Sequence, residues 1–216
     1  MSAGGHQAER QALLEAVRRM AGLALNEGTA GNLGLRVDEG LLVTPSALAY
    51  DAMTPEDMVL LDWEGAVLEA PDARRPTSEW RFHRDILASR TELGAVVHCH
   101  SPYATTIACL GQSIPAVHYM VAVAGGNDIR CAPYSTFGEP QLSEAALMAL
   151  EGRKACLLAH HGQIACGETL DKALDLACEV ESLAALYWRL LQLGEPAVLD
   201  ASEMARVLEK FRGYKP

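Results

Sequence analysis

Apolar residues recur along this chain with two different periods. Leu13, Leu14, Val17, Met20 and Leu23 fall at helical spacing and predict an amphipathic helix over residues 7–25. A Gly-rich turn over residues 26–34 follows. Short apolar runs at Leu33–Val37 and Leu41–Thr44 flank Asp38-Glu39-Gly40, which predicts a hairpin and antiparallel pairing. Met58–Asp62 and Ala66–Glu69 form a second hairpin candidate around Trp63-Glu64-Gly65. A Pro-flanked loop, Pro71–Pro76, leads into a predicted helix over residues 78–89. Ala95, Val96 and Val97 open a buried strand that runs into His98 and His100, and Pro102 starts a helix reaching Leu110. Residues 111–140 are rich in Gly and Pro and predict short strands and loops. A helix over 141–150, a strand over 155–160 and its continuation over 163–166 come next. The longest helix is expected over 170–193, with an apolar stripe through Leu174, Ala177, Leu183, Tyr187 and Leu190; a last helix covers 201–211. With no repeat or low-complexity segment, residues 1–216 read as one α/β domain, a mainly antiparallel sheet with helices packed against it.

Composition narrows the classes of function. The formal net charge of −10 is spread along the chain and argues against general nucleic-acid affinity, which needs a basic footprint. No run approaches the length of a membrane span, and the opening MSAGGHQAERQALLEA has no signal-peptide core. The six cysteines (Cys99, Cys109, Cys131, Cys156, Cys166 and Cys178) include no CxxC pair and sit mostly in apolar company. A cytoplasmic protein with free, mostly buried thiols is expected.

The chemistry-bearing residues cluster in three places. His98 and His100 alternate in a strand, so they share a face. His160 and His161 end a second apolar strand before Gly162. Two such strand ends brought together present three neutral imidazoles to one ion, the donor set of a catalytic zinc site. The residues alone leave open whether His160 or His161 is the third ligand, and an isolated HxH is also ordinary polar surface. In Pro76-Thr77-Ser78-Glu79-Trp80, Thr77 or Ser78 reads as an N-cap with Glu79 in the first turn; Glu79 also reads as a catalytic carboxylate. Gly28-Thr29-Ala30-Gly31-Asn32 lacks the ending of a P-loop, so it is an ordinary turn or an anion nest. Thr44-Pro45-Ser46 is a similar small-hydroxyl corner.

Taken in order, LNEGTAGNLGLR, LLVTPSALAY, PTSEWRFH, AVVHCH, SIPAVHYMVAVAGGNDIRCAPYSTFG, LLAHHGQIACGETLDKALDLACEVE and VLEKFRGY resemble the class II aldolase/adducin family over nearly the whole chain. The resemblance implies a three-layer α/β fold and a fourfold-symmetric (C4) homotetramer with active sites at subunit interfaces. It implies one Zn²⁺ per subunit on His98, His100 and His161, with Glu79 as acid/base and as a further metal ligand when no substrate is bound. It implies a phosphate cradle of Thr29, Gly31, Asn32, Ser46, Thr77 and Ser78, a catalytic Tyr119 reaching a neighbouring subunit's site, and Phe137 and Tyr214 around the aldehyde. The activity so implied is reversible cleavage of a ketose 1-phosphate, L-fuculose 1-phosphate first, to dihydroxyacetone phosphate and L-lactaldehyde through an enediolate. Alternatives within the family are cleavage of a 5-deoxy- or 5-methylthio-pentulose 1-phosphate, a sugar-phosphate 4-epimerase and a non-catalytic scaffold. Beside an anionic intermediate and a dry wall such as Trp80, Glu79 is expected to have a raised pKa. Ala47 stands where the family pattern has Gly. His83, one helical turn after Glu79, either supports the site from behind or is simply a helix-face residue, and the latter is expected.

Overall fold

The computed structural model describes residues 5–26, 28–71 and 74–213. Helix α1 (Gln7–Gly22) leads to strands β1 (Asn32–Val37), β2 (Gly40–Val43), β3 (Val59–Asp62) and β4 (Val67–Glu69). Helix α2 (Trp80–Ser89), strand β5 (Ala95–Cys99), helix α3 (Pro102–Cys109) and the short strand β6 (Ile114–Pro115) follow. The second half holds β7 (Asp128–Ala132), α4 (Pro140–Ala149), β8 (Ala155–Leu158), β9 (Gly162–Gly167), α5 (Leu170–Leu193) and α6 (Ala201–Gly213).

The nine strands form one sheet in the order β4-β3-β2-β1-β5-β9-β8-β7-β6. Every pairing is antiparallel except β7 with β8, whose connection crosses over through α4. Both predicted hairpins form. Period-two alternation splits the strand residues between two cores. Leu33, Leu42, Leu60, Val97, Leu157 and Ala165 join Leu13 of α1, Ile107 of α3 and Leu174 of α5 on one face. Leu41, Leu61, Val96, Cys156 and Ile164 join Phe82 and Ile86 of α2 and Leu142 of α4 on the other. With both faces covered, the strands read as continuous apolar runs rather than clean alternations.

Helix ends are set locally. Thr169 caps α5 by accepting a hydrogen bond from the Lys172 N–H at 3.3 Å, and Gly194 follows its last residue. Helix α1 stops three residues earlier than its apolar spacing predicts, because Ala24 takes a left-handed φ of 54° and turns the chain. Residues 111–140 hold β6 and β7 as expected, together with a 3₁₀ segment at Tyr119–Ala124 that periodicity does not signal.

A candidate metal centre and active site

Three strands and one helix start build the site. Strand β5 lies between β1 and β9, so His98 has Asn32 as its neighbour on one side and Ile164 on the other. His100 lies one residue beyond the end of β5, and its backbone N–H donates to Asn26 Oδ1 at 2.7 Å. The β8–β9 turn carries the histidine pair. His160 takes a left-handed φ of 56°, uncommon for a residue with a Cβ, and the turn aims His161 inward while His160 is exposed.

The ring nitrogens of His98, His100 and His161 lie within 4.8 Å of one another, and the rings pack edge to face with centroids 4.8 to 4.9 Å apart. His98 Nδ1 lies 2.9 Å from the Gln163 carbonyl, which only accepts, so Nδ1 carries the proton and Nε2 presents a bare lone pair. That Nε2 is 3.1 Å from His100 Nε2. Burial lowers the pKa of His98, and burial followed by the neighbouring His98 and His161 lowers that of His100 to about 4. Three imidazoles whose ring nitrogens converge are the donor set a metal ion takes. The residues therefore fit a bound metal ion, and His161, not His160, is the third member.

Glu79 closes the fourth side. Its Oε2 is 3.3 Å from His98 Nε2 and accepts from Asn32 Nδ2 at 2.8 Å; its Oε1 is 3.2 Å from His161 Nε2. Glu79 occupies the N-cap position of α2, which starts two residues later than a Thr77 cap predicts and one later than a Ser78 cap predicts, and its carboxylate makes no capping bond. The helix-start explanation therefore does not account for where this side chain points. Its pKa also departs from expectation. Burial pushes the carboxyl up, but the fields of His98 and His161 and hydrogen bonds outweigh it and hold the group well below the usual carboxylate range. Nor does Trp80 wall this group: its ring lies against Gly65 and under Arg81 and Arg84.

Backbone pairing gathers the small-hydroxyl corners. The Thr44 N–H donates to the Leu33 carbonyl at 3.1 Å, the Thr77 N–H to the Thr44 carbonyl at 3.0 Å and the Ser46 N–H to the Arg75 carbonyl at 2.9 Å. Gly31-Asn32, Thr44–Ser46 and Thr77-Ser78 thus become neighbours. Gly31 is required by packing, since a Cβ there would lie 2.6 Å from Asn26 Nδ2 and 2.7 Å from the His98 carbonyl. Ser46 and Ser78 are exposed, Thr77 and Asn32 are buried, and Thr29 is exposed on the preceding loop. Ala47 takes a left-handed φ of 56°, the conformation that the glycine of the family pattern adopts without strain.

A cleft of about 280 Å³ is lined by Glu79, His100 and His161, by Ala30 and Ser78, and by Tyr134 and Phe137. The loop bearing Tyr134 and Phe137 is anchored at Gly138, where a Cβ would sit 3.3 Å from the Ser78 carbonyl. Tyr119 is not brought to this cleft. It is 49% exposed and stacks on Phe211 in a separate groove of about 900 Å³. Tyr214 lies outside the described residues.

Several supporting residues escaped the sequence reading. Asn26 Nδ2 donates to the Tyr50 hydroxyl at 2.8 Å, and that hydroxyl donates to the Gly31 carbonyl at 2.9 Å. Glu181 of α5 accepts from the Tyr103 and Ala104 N–H groups, each at 2.8 Å, and caps α3 just past His100. Only the LNEGTAG and LAY contexts hinted at Asn26 and Tyr50. Tyr134, at the cleft wall, carried no signal beyond its nearness to Phe137.

Known proteins are similar to this chain over most of its length. A 5-methylthioribulose-1-phosphate/5-deoxyribulose-1-phosphate aldolase of Rhodospirillum rubrum is 58% identical over 211 residues, covering 98% of this chain and 94% of that protein. The L-fuculose phosphate aldolase of Escherichia coli K12 is 47% identical over 203 residues, covering 94% of this chain and 93% of that one. The solved structure of an L-fuculose 1-phosphate aldolase superposes with a TM-score of 0.93 at 37% identity, covering 98% of this chain and 100% of that one. Residues 11–188, which include all three histidines and Glu79, match the class II aldolase and adducin N-terminal domain. The triad and its carboxylate therefore sit inside a family match that spans most of the chain, and the protein belongs to the class II aldolase and adducin family.

Proposed function

We propose that this class II aldolase cleaves a ketose 1-phosphate between C3 and C4, releasing dihydroxyacetone phosphate and a short aldehyde. One observation carries the reading: three imidazole rings converge beside a buried carboxylate at one cleft. In this reading one Zn²⁺ per subunit, on His98, His100 and His161 with Glu79 adjacent, supplies Lewis-acid stabilisation of the charge left by cleavage.

The chain's own groups do the rest. Hydroxyls of Thr29, Ser46, Thr77 and Ser78, with the second N–H of the Asn32 side-chain amide, hold the phosphate, and Gly31 shapes the turn around it. Tyr119 of a neighbouring copy takes the proton from the C4 hydroxyl. The C3–C4 electron pair stays with the dihydroxyacetone phosphate half, and the C4 oxygen closes to a carbonyl. Glu79 moves a proton on and off C3. Its Oε1 suits that task, being buried with only His161 Nε2, at 3.2 Å, beside it. Phe137, Tyr134 and Tyr214 enclose the departing aldehyde. Assembly as a homotetramer, needed to deliver Tyr119, and a cytoplasmic setting belong to the same proposal; no helix among the described residues is long and apolar enough to cross a membrane.

For the substrate, 5-deoxyribulose and 5-methylthioribulose 1-phosphates come first, supported by the 58% identical relative and by the aromatic wall at the aldehyde end. L-fuculose 1-phosphate is the second reading, supported by the 47% identical relatives and by the superposition at TM-score 0.93. The three ketose phosphates compared at equal enzyme and zinc decide between them. A kcat/KM at least tenfold higher for the 5-deoxy or 5-methylthio compound supports the first reading. A tenfold preference for L-fuculose 1-phosphate overturns it.

A further inference from the structure

His83 lies within α2 and is fully buried, at 0% exposure. Its Nε2 is 2.5 Å from Asn32 Oδ1, and the same amide's Nδ2 donates to Glu79 Oε2 at 2.8 Å. Each orientation in this relay is forced. A carboxylate only accepts, so the amide nitrogen of Asn32 faces Glu79 and its oxygen faces His83. That oxygen also only accepts, so His83 carries its proton on Nε2. Nδ1 of His83 is then a bare acceptor, and it is buried with no partner. The sheet makes room for this ring: a Cβ on Gly34 would come within 2.8 Å of His83 Nδ1 and 2.9 Å of its Cβ and Cγ. A glycine in the middle of β1 and a histidine with one nitrogen unsatisfied are both unfavourable on their own. Together they secure one thing, an imidazole N–H aimed at Asn32.

We propose that His83 is a positioning residue that fixes the Asn32 amide and through it holds Glu79 against the histidine triad. Of the two readings the sequence leaves for His83, this takes the support role over the plain helix-face residue. It rests on the reading of Glu79 as the working carboxylate of the site. Without the His83 donor, the Asn32 amide rotates freely, and its oxygen can face Glu79 and repel it. Outer partners of this kind typically change metal affinity or activity by about tenfold to a hundredfold.

The test uses the full chain and zinc affinity, measured by competition with a chromophoric chelator. His83→Leu removes the donor; His83→Asn keeps polarity but is too short to reach Asn32; His83→Gln places an N–H near the position of Nε2. Zinc affinity is expected to fall tenfold or more in the Leu and Asn variants and to stay within threefold of wild type in the Gln variant. In a Glu79→Ala background the Leu and Asn substitutions should change affinity less than threefold, since the group being positioned is gone. Equal loss in all three single variants, or a loss that persists without Glu79, overturns the proposal and makes His83 a packing residue. Should the Leu variant not fold, the Asn and Gln pair still gives the comparison. Wild-type protein that binds zinc but cleaves no ketose 1-phosphate defeats the functional reading and leaves this affinity test standing.

Discussion

Lowering the pH should destabilise the metal-free protein through His83, by an amount the structure sets. Burial, then the neighbouring His98, lowers its pKa from 6.5 to about 3, against a small opposing effect of Glu79. The folded state therefore keeps the ring neutral where the unfolded chain protonates it. With more protons bound to the unfolded state, stability falls as pH falls. The cost is absent above pH 6.5, starts as pH drops through the unfolded value and grows by about 1.4 kcal/mol per pH unit until about pH 3. At pH 5 it amounts to about 2 kcal/mol for this one group. Urea unfolding of chelator-treated wild type and His83→Gln at pH 7.5 and pH 5 isolates it, because the other titrating groups are common to both. The stability difference between the two proteins should move by about 2 kcal/mol in favour of the variant as pH falls. A difference that stays constant across that range would refute the assignment of His83 as a neutral buried imidazole.

Other substitutions follow from contacts already described. Gly34→Ala drives a methyl group into the His83 ring and should cost about 1–3 kcal/mol in urea unfolding, as overpacking does. Asn26→Ala removes the acceptor of the His100 N–H and the donor to Tyr50. It is expected to cost about 1–3 kcal/mol and to weaken zinc binding, measured by chelator competition. Glu79→Gln keeps the shape but cannot shuttle a proton, so kcat for ketose 1-phosphate cleavage should fall about 10²–10⁴-fold with zinc still bound. Zinc retention is checked by metal analysis of the purified variant.

Much of the architecture was legible because its signals are local. The hairpin at Asp38-Glu39-Gly40, the apolar run ending in His98 and the capped helix beginning at Leu170 each depend on a few adjacent residues. The triad was legible in part. The spacing of His98 and His100 placed them on one face, while the choice of His161 over His160 depends on a left-handed residue inside a tight turn, which composition does not announce. Glu79 was visible as a carboxylate at a helix start, but its orientation is set by Asn32, 47 residues away. His83 was misjudged for the same reason: its partner is 51 residues away, and the space for its ring comes from a glycine on another strand. Asn26 and Tyr50 act through long-range hydrogen bonds that no periodicity encodes.

The most direct test of the account is a reconstitution. Protein stripped with a chelator is offered 5-deoxyribulose 1-phosphate, and dihydroxyacetone phosphate is followed by a coupled reduction as Zn²⁺ is added back. The account requires negligible release from the stripped protein and recovery that saturates at one zinc per chain. Full cleavage by protein shown to be metal-free, or zinc bound at one per chain with no release from any of the three ketose phosphates, would contradict it.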